Sequence, residues 1–212
     1  ATCHHPSLSG TDGLALPVGV VVGITDPMLI GTERLKTLKS HTKRIPQNLV
    51  PRNTPSVINS GLYQKRLFWD GRAEIKDHKL QAGLGLNKYN PHNYQQKTLL
   101  QAQARMPLTS VFEMKGGKWP SQNNRAIEEI TVQLLQQNPA WCKVFSNIYN
   151  LGSCVGDITL NHITDSLAAF QSSLIFTDTD FNEYLSGNKT ALTLQQKQGA
   201  LDFFTPIKEG GA

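Results

Sequence analysis

The chain opens with Ala-Thr-Cys-His-His-Pro at residues 1–6. A cysteine one place before Ala1 would complete Cys-x-x-Cys-His, the pattern that attaches c-type haem. In that pattern two thiols bond the haem vinyl groups, and the histidine that follows is thereby held under the iron. Cys3 would then supply one thioether and His4 the proximal ligand. The same residues also fit an ordinary N-terminus or part of a zinc site, so this stretch alone leaves the choice open.

The residues that follow the motif favour a bound group. Residues 1–60 are rich in Gly, Pro, Ser and Thr and show little periodicity. Such composition is typical of loops. Loops of this length need something to wrap around, and a cofactor would supply the core that they do not make themselves.

Further along, three stretches carry apolar residues at helical spacing. The first, residues 95–104, is predicted to be a short helix stopped by Pro107, because a proline disfavours the helical conformation in the residue before it. The second runs from Asn123 to Gln137. The third has its apolar positions at Leu160, Ile163, Leu167, Phe170 and Leu174.

Capping residues predict where the later helices begin. Asp157 is the expected N-cap of the third helix. Thr193, with Gln196 three residues later, forms a capping box for a last helix that ends near Phe204. No stretch alternates apolar and polar residues for long, so the predicted fold class is mainly α. The segment 184–189 (YLSGNK) breaks the helical pattern and is predicted to be a linker.

Composition excludes some functions and leaves one question on the cysteines open. Lys and Arg number 21 against 16 acidic residues, and the net charge of +5 is spread along the chain, so nucleic-acid binding is not expected. No segment approaches the roughly 18 continuous apolar residues of a membrane helix, so no membrane span is expected. Cys142 and Cys154 either form a disulfide, in an oxidising compartment, or are two buried thiols.

Several landmarks in order along the chain resemble the family of di-haem cytochrome c peroxidases and methylamine-utilisation haem enzymes. The resemblance covers nearly the whole chain and makes the opening residues a cut CATCHHP motif. The other landmarks are Gly10–Gly13 (GTDG), residues 51–56 (PRNTPS) with Asn59, residues 68–72 (FWDGR), Gln103, Glu113–Met114, and residues 168–170 (AAF) and 181–187 (FNEYLSG) leading into 192–199.

The resemblance implies a fold and an activity. Residues 1–187 would form a cytochrome c-like peroxidatic haem domain with long loops, and residues 188–212 the start of a second, electron-transfer haem domain. The full-length chain would carry two haem c groups, one of them in this part. It would reduce hydrogen peroxide to water with electrons from a small cytochrome c or a cupredoxin.

The resemblance also concerns the setting of the protein. It implies export to the periplasm, with a homodimer as a further expectation. The chain is expected to begin inside the first haem motif and to stop before the second. Residues 1–212 alone are therefore expected to be inactive in donor-dependent turnover.

By the same resemblance, individual residues receive roles. Glu113 and Gln103 match the distal residues that act on peroxide: one exchanges the proton and the other positions the distal oxygen. Trp69 matches the tryptophan that relays electrons between the two haems. Asn53 matches an asparagine that offers its side-chain oxygen to a calcium ion.

For two residues the sequence leaves two possible roles open. Arg72 pairs either with a haem propionate or with Asp70. No histidine stands where many members carry a distal ligand, so His41 is either a displaced distal ligand or a surface histidine. His78 and His92 are interpreted as residues of surface loops.

Two other functions remain as hypotheses. One is a protein-modifying oxidase of the methylamine-utilisation type, in which a haem pair oxidises side chains of a partner. The other is a haem electron carrier or sensor without peroxide chemistry. A tyrosine ligand at the second haem would favour the modifying enzyme, whereas a methionine would favour the peroxidase.

Overall fold

The computed structural model describes residues 3–14, 16, 52–83, 96–111, 113–115, 119 and 121–209. His41 and His92, discussed above, lie outside these ranges. The chain divides into two compact units, Ala1–Ile175 and Phe176–Ala212. The functional division predicted between residues 187 and 188 stays a prediction.

A small antiparallel sheet stands near the middle of the first unit. Its strands follow each other in space as they do in sequence, and their bounds are Arg66–Leu67 (β1), Ala73–Lys76 (β2) and Lys79–Ala82 (β3). Ala73 pairs with Ala82, and Ile75 pairs with Leu80. The sequence does not predict this sheet, because its strands are too short to show an alternating pattern.

Helices are the main regular structure in the described part of the first unit. They are Leu99–Thr109 (α1), Asn124–Gln136 (α2), Pro139–Tyr149 (α3) and Leu160–Ser173 (α4). The main core joins α1, the sheet and α4; its buried members are Leu67, Ala73, Leu80, Ala82, Leu99, Leu100, Ala102 and Ala168. A second cluster, built on Phe145, Ile158 and Ile163, lies between α3 and α4. The predicted mainly-α class is confirmed.

Three boundaries predicted for the helices are wrong. The first helix begins at Leu99 and not at residue 95, and it does not stop before Pro107 but continues through it to Thr109. Proline is tolerated there because it lies in the last turn, where one lost hydrogen bond leaves the rest of the helix intact. The N-cap of α4 is Thr159 and not Asp157, which accepts a hydrogen bond from the Ser153 N–H at 2.7 Å.

The bounds predicted for α2 are confirmed to within a residue. Helix α2 has Asn123 as its N-cap and Gln137 as its C-cap. Helix α4 covers the predicted apolar positions except Leu174, which is its C-cap.

The second unit contains, in residues 176–209, two short α-helices, Asp180–Leu185 (α5) and Leu194–Phe204 (α6), and a 3-10 helix, Ile207–Glu209. Helix α6 begins with the predicted capping box of Thr193 and Gln196 and ends at Phe204. The predicted linker is partly helical, since α5 extends to Leu185, and Gly187 follows at a φ of 112°.

Cys142 and Cys154 form a disulfide, which settles the alternative that the sequence left open. The bond joins α3 to the segment before α4. Among the residues with a described conformation, no helix has the length and apolar character that crossing a membrane requires.

Candidate functional site

The loop that follows Cys3 fixes the orientation of the His4 ring. His4 Nδ1 lies 3.0 Å from the carbonyl oxygen of Gly10. A carbonyl can only accept, so Nδ1 carries the proton and Nε2 keeps its lone pair. Histidines that bind metals are held in this way, by a hydrogen bond from the nitrogen that does not bind. The His4 ring is therefore prepared to offer Nε2 to an iron.

Backbone hydrogen bonds close the loop of residues 5–11 around that carbonyl. The His5 N–H donates to Thr11 O at 2.8 Å, and the Gly10 N–H donates to His5 O at 3.0 Å. Gly10 has a φ of 73°, which favours glycine. A Cβ there would lie only 2.9 Å from Val57 Cγ2 and 3.1 Å from Val57 N. Glycine is thus required both by its conformation and by the close approach of residue 57.

The side chains of Asn53 and Ser56 hold this loop and the residues that follow it. Ser56 Oγ donates to Ser9 O at 2.6 Å, and Asn53 Nδ2 donates to Leu14 O at 2.9 Å. Asn53 is the predicted calcium ligand, and its amide nitrogen is used here, so its oxygen is the atom that a cation would take. The described part of the chain holds no group of three or more His, Cys, Asp or Glu that could bind a metal.

The segment that carries Ser56 also contacts the end of α4. The Asn59 N–H donates to Leu174 O at 2.8 Å. A Cβ at Gly61 would lie 3.1 Å from Ser172 Cα, so the two backbones are in close contact. One continuous assembly is therefore formed by three parts: the loop of residues 5–11, residues 53–61 and the end of α4.

Gln103 lies on α1 and faces α4. Its Oε1 accepts a hydrogen bond from Gln171 Nε2 at 3.1 Å. Gln171 is buried, and its own Oε1 lies 3.5 Å from Ser60 Oγ. Because the oxygen of Gln103 is occupied, the amide NH₂ is the end that Gln103 can offer to a ligand.

Glu113 follows α1 in a turn that is tied back to the helix. The Glu113 N–H donates to Ser110 O at 3.2 Å, and the Met114 N–H donates to Pro107 O at 3.1 Å. The turn is anchored on its far side by Lys115, which is buried and donates from Nζ to Gln122 O at 2.7 Å. Glu113 is half-buried and its position is set by the end of α1.

Trp69 is 88% exposed. It follows Phe68, whose φ of 66° is unusual for a bulky residue, and the Gly71 N–H donates to Phe68 O at 3.1 Å to close the turn. Arg72 pairs with Asp70 at 2.9 Å and lies 3.6 Å above the Phe68 ring. Of the two partners considered for Arg72, the structure shows Asp70.

Residues 1–190 match the family model described as di-haem cytochrome c peroxidase. The chain belongs to this family. Its helix-rich fold with a small sheet agrees with the cytochrome c-like class of the family, and the cofactor of the family is haem c.

Relatives of this family member fall into two groups by name. The methylamine utilization protein MauG of Methylorubrum extorquens is 27% identical over 94% of the chain, which spans 38% of that protein. The cytochrome c peroxidase Ccp of Escherichia coli is 30% identical over 70% of the chain, which spans 24% of that protein. A cytochrome c551 peroxidase of Pseudomonas aeruginosa is 25% identical over 72% of the chain. The chain thus spans well under half the length of these relatives.

Sequence reasoning did not single out two residues of the assembly. Gln171 is a polar residue within the apolar face of α4, four residues after Leu167 and three before Leu174. A polar residue on a buried helix face needs a hydrogen-bond partner, and that signal alone marks Gln171. For Gly10 the sequence indicates only a turn. Its contact with Val57 depends on the tertiary structure and could not be predicted.

Proposed function

We propose that the full-length protein is a haem peroxidase that reduces hydrogen peroxide to water with electrons from a small cytochrome c or cupredoxin. The proposal is supported by the chemistry of Gln103 and Glu113 and by their positions near the end of α1. Gln103 lies one turn before Pro107, and Pro107 O accepts a hydrogen bond from the N–H of Met114, the residue after Glu113. A carboxylate can move a proton and an amide NH₂ can donate to peroxide, and some relatives of the chain are named cytochrome c peroxidases.

Cys3 and His4 would hold the haem, since the His4 ring is already oriented by Gly10 O. When bound, the haem would supply the redox-active iron that the cleavage of peroxide needs. Exposed apolar side chains on α4, Leu167 and Phe170, are of the kind that a large apolar group covers.

The protein's own groups handle the protons. The Glu113 carboxylate would take a proton from one oxygen of the peroxide and return it to the other, which would leave as water. The Gln103 NH₂ would donate to that leaving oxygen. The overall change consumes one H₂O₂, two protons and two electrons and yields two molecules of water.

Four further assignments belong to the proposal. Trp69 relays electrons towards the peroxidatic haem, supported by its exposed ring. Asn53 gives its oxygen to calcium. The protein acts in the periplasm, supported by the disulfide, which is typical of oxidising compartments, and it forms a homodimer.

The test is Glu113→Gln in the full-length protein, produced in a host that matures c-type cytochromes. Peroxide turnover should fall by about 100-fold or more, the usual effect of losing a general acid–base group. Covalently bound haem per chain, from intact mass and the reduced haemochrome spectrum, should not change. Glu129→Gln, an exposed glutamate on α2, is the control.

Two outcomes contradict the proposal. Unchanged turnover in Glu113→Gln would favour the electron carrier or sensor. Absence of covalent haem from the parent protein would remove the roles given to Cys3 and His4.

A second candidate is the protein-modifying oxidase. It is favoured by the match to two MauG proteins, which extends over 94% of the chain in both cases, against 70–72% for the peroxidases. The axial ligand of the second haem, read from its near-infrared absorption, decides between them: tyrosine indicates the modifying enzyme and methionine the peroxidase.

A further inference from the structure

We propose that Gln171 is a positioning residue that fixes which end of the Gln103 amide faces the bound ligand. The proposal rests on the proposed function, because it assumes that Gln103 faces the ligand at the haem. It adds a residue on a second helix, 68 positions away in sequence, to the machinery of that site.

The first step is the hydrogen bond between the two amides. Gln171 Nε2 lies 3.1 Å from Gln103 Oε1 and donates to it. A primary amide has a donor end and an acceptor end of nearly the same shape. Held by its oxygen, the Gln103 amide can turn only its NH₂ towards a ligand.

The second step is the chemical difference between the two ends. The distal oxygen of peroxide gains electron density as the O–O bond breaks, and a donor stabilises that charge. The carbonyl oxygen of a rotated Gln103 amide would place an acceptor against the same oxygen. The choice of end therefore affects reactivity and not only packing.

The third step is the rigidity of Gln171 itself. Its side chain is buried, at 8% relative exposure, near the end of α4. Ser60 Oγ faces its oxygen at 3.5 Å, and the same hydroxyl lies 2.8 Å from Val57 O. A hydroxyl has one proton, which the shorter contact takes. Ser60 therefore lies next to the oxygen end of Gln171 but contributes little to it as a donor.

The segment of residues 57–60, which contacts Gln171 through Ser60, also packs against the loop of residues 5–11. Val57 lies against Gly10, whose carbonyl oxygen orients His4. The assembly that positions the donor end of Gln103 is therefore the one that orients the proximal histidine.

Two substitutions at residue 171 separate positioning from packing. Gln171→Leu keeps the volume and removes the donor, so the Gln103 amide can adopt either orientation. Gln171→Glu offers only acceptors, so the Gln103 NH₂ should turn to the new carboxylate and its oxygen should face the ligand. We expect kcat/KM for peroxide to fall about tenfold in Gln171→Leu, the effect of one hydrogen bond, and further in Gln171→Glu.

The comparison with Gln103 tests whether the effect passes through that residue. Gln103→Leu/Gln171→Leu should be no slower than Gln103→Leu alone, because the second substitution then has nothing left to orient. Gln136→Leu, which removes an α2 amide bonded to Ile158 O at 3.0 Å, is the control for loss of a half-buried glutamine and should leave kcat/KM unchanged.

A spectroscopic readout keeps this proposal distinct from the proposed function. In the carbon monoxide complex of the reduced protein, a donor near the ligand lowers the C–O stretching frequency. Both Gln103→Leu and Gln171→Glu should raise it. If peroxide is not turned over at all but the frequency responds in both variants, the proposed function fails and the positioning role stands.

The positioning role is overturned if Gln103→Leu raises the frequency while both variants at residue 171 leave it unchanged. It is also overturned if the effects of the two leucine substitutions on kcat/KM simply multiply. A frequency that Gln103→Leu does not change would mean that Gln103 does not face the ligand, which overturns it as well. Where Gln171→Glu does not fold, Gln171→Leu alone decides by the same criteria.

Discussion

At the scale of single residues, the orientation of His4 depends on a carbonyl group that only a glycine can place. Gly10 combines a positive φ with close contact to Val57, so its backbone position is set by the neighbouring segment as well as by its own loop. The carbonyl that holds His4 Nδ1 belongs to this residue. A side chain at position 10 should therefore disturb both stability and the ring.

Gly10→Ala tests this coupling. A positive φ costs an alanine about 1 kcal/mol, and the clash with Val57 should add about 1–3 kcal/mol as an overpacked contact does. We therefore expect Gly10→Ala to lower the free energy of unfolding by the sum of the two costs and to reduce the covalent haem per chain. Denaturant unfolding measures the first and intact mass the second.

Gly156→Ala is the matched control for Gly10→Ala. Gly156 has a φ of 96°, and nothing lies within 4 Å of the Cβ that alanine would add. Gly156→Ala should therefore lower the free energy of unfolding only by the conformational cost, about 1 kcal/mol. Equal losses in the two variants would mean that the contact with Val57 carries no strain.

At the scale of elements, a buried ion pair joins α1 to α2. Arg105 Nε and Nη2 donate to the two oxygens of Glu128 at 2.6 and 2.7 Å, and both side chains are almost fully covered. Bidentate geometry of this kind compensates the cost of removing the charges from water. Loss of one partner leaves the other charge buried.

Glu128→Ala should therefore destabilise the protein by about 3 kcal/mol in the free energy of unfolding. Glu129→Ala, at the next position of α2, breaks the exposed pair of Arg125 and Glu129 and should cost under about 0.5 kcal/mol. Urea unfolding of both variants gives the comparison. Similar small losses would show that Arg105 finds other compensation.

The disulfide between Cys142 and Cys154 restrains the connection from α3 to α4. The two cysteines are 12 positions apart, and closing a loop of about this length stabilises a fold by about 3 kcal/mol in the chain-entropy model. The double substitution to serine should lower the unfolding free energy by up to that amount. A stability that is unchanged, and equally unchanged by reductant, would mean that the thiols are not bonded.

The same elements show what the sequence can predict. Helices α2 and α4 follow from apolar spacing and α6 follows from its capping box of Thr193 and Gln196, because these signals act locally, whereas the cap expected for α4 at Asp157 is wrong. Helix α3 was missed although Asn138 and Pro139 form a clear N-terminal signal. The sheet could not be predicted, because its pairing depends on contacts with α1 that local sequence does not contain. Gln103 and Glu113 were indicated by the family resemblance, whereas the role proposed for Gln171 depends on the packing of α1 on α4.

At the scale of the whole molecule, the two compact units differ in how much apolar surface they bury. The first contains both core clusters. In the described part of the second, Leu192 is the only buried residue. Its stabilising contacts are on the surface: Phe181 stacks on Phe204 at 5.8 Å, and the ammonium groups of Lys189 and Lys197 lie just over 5 Å from the Tyr184 ring.

This difference predicts unequal stability in the 212-residue chain. Helix stability in proteins comes mostly from packing of the apolar face, and α6 leaves Leu194 85% and Phe203 75% exposed. We expect amides of α6 to exchange with deuterium nearly as fast as an unstructured peptide, whereas amides of α1 and α4 exchange at least about 100-fold more slowly because their faces meet in the core. Hydrogen exchange followed by mass spectrometry measures both in one sample. Protection of α6 equal to that of α4 would contradict the expectation and would mean that surface contacts alone hold the second unit together.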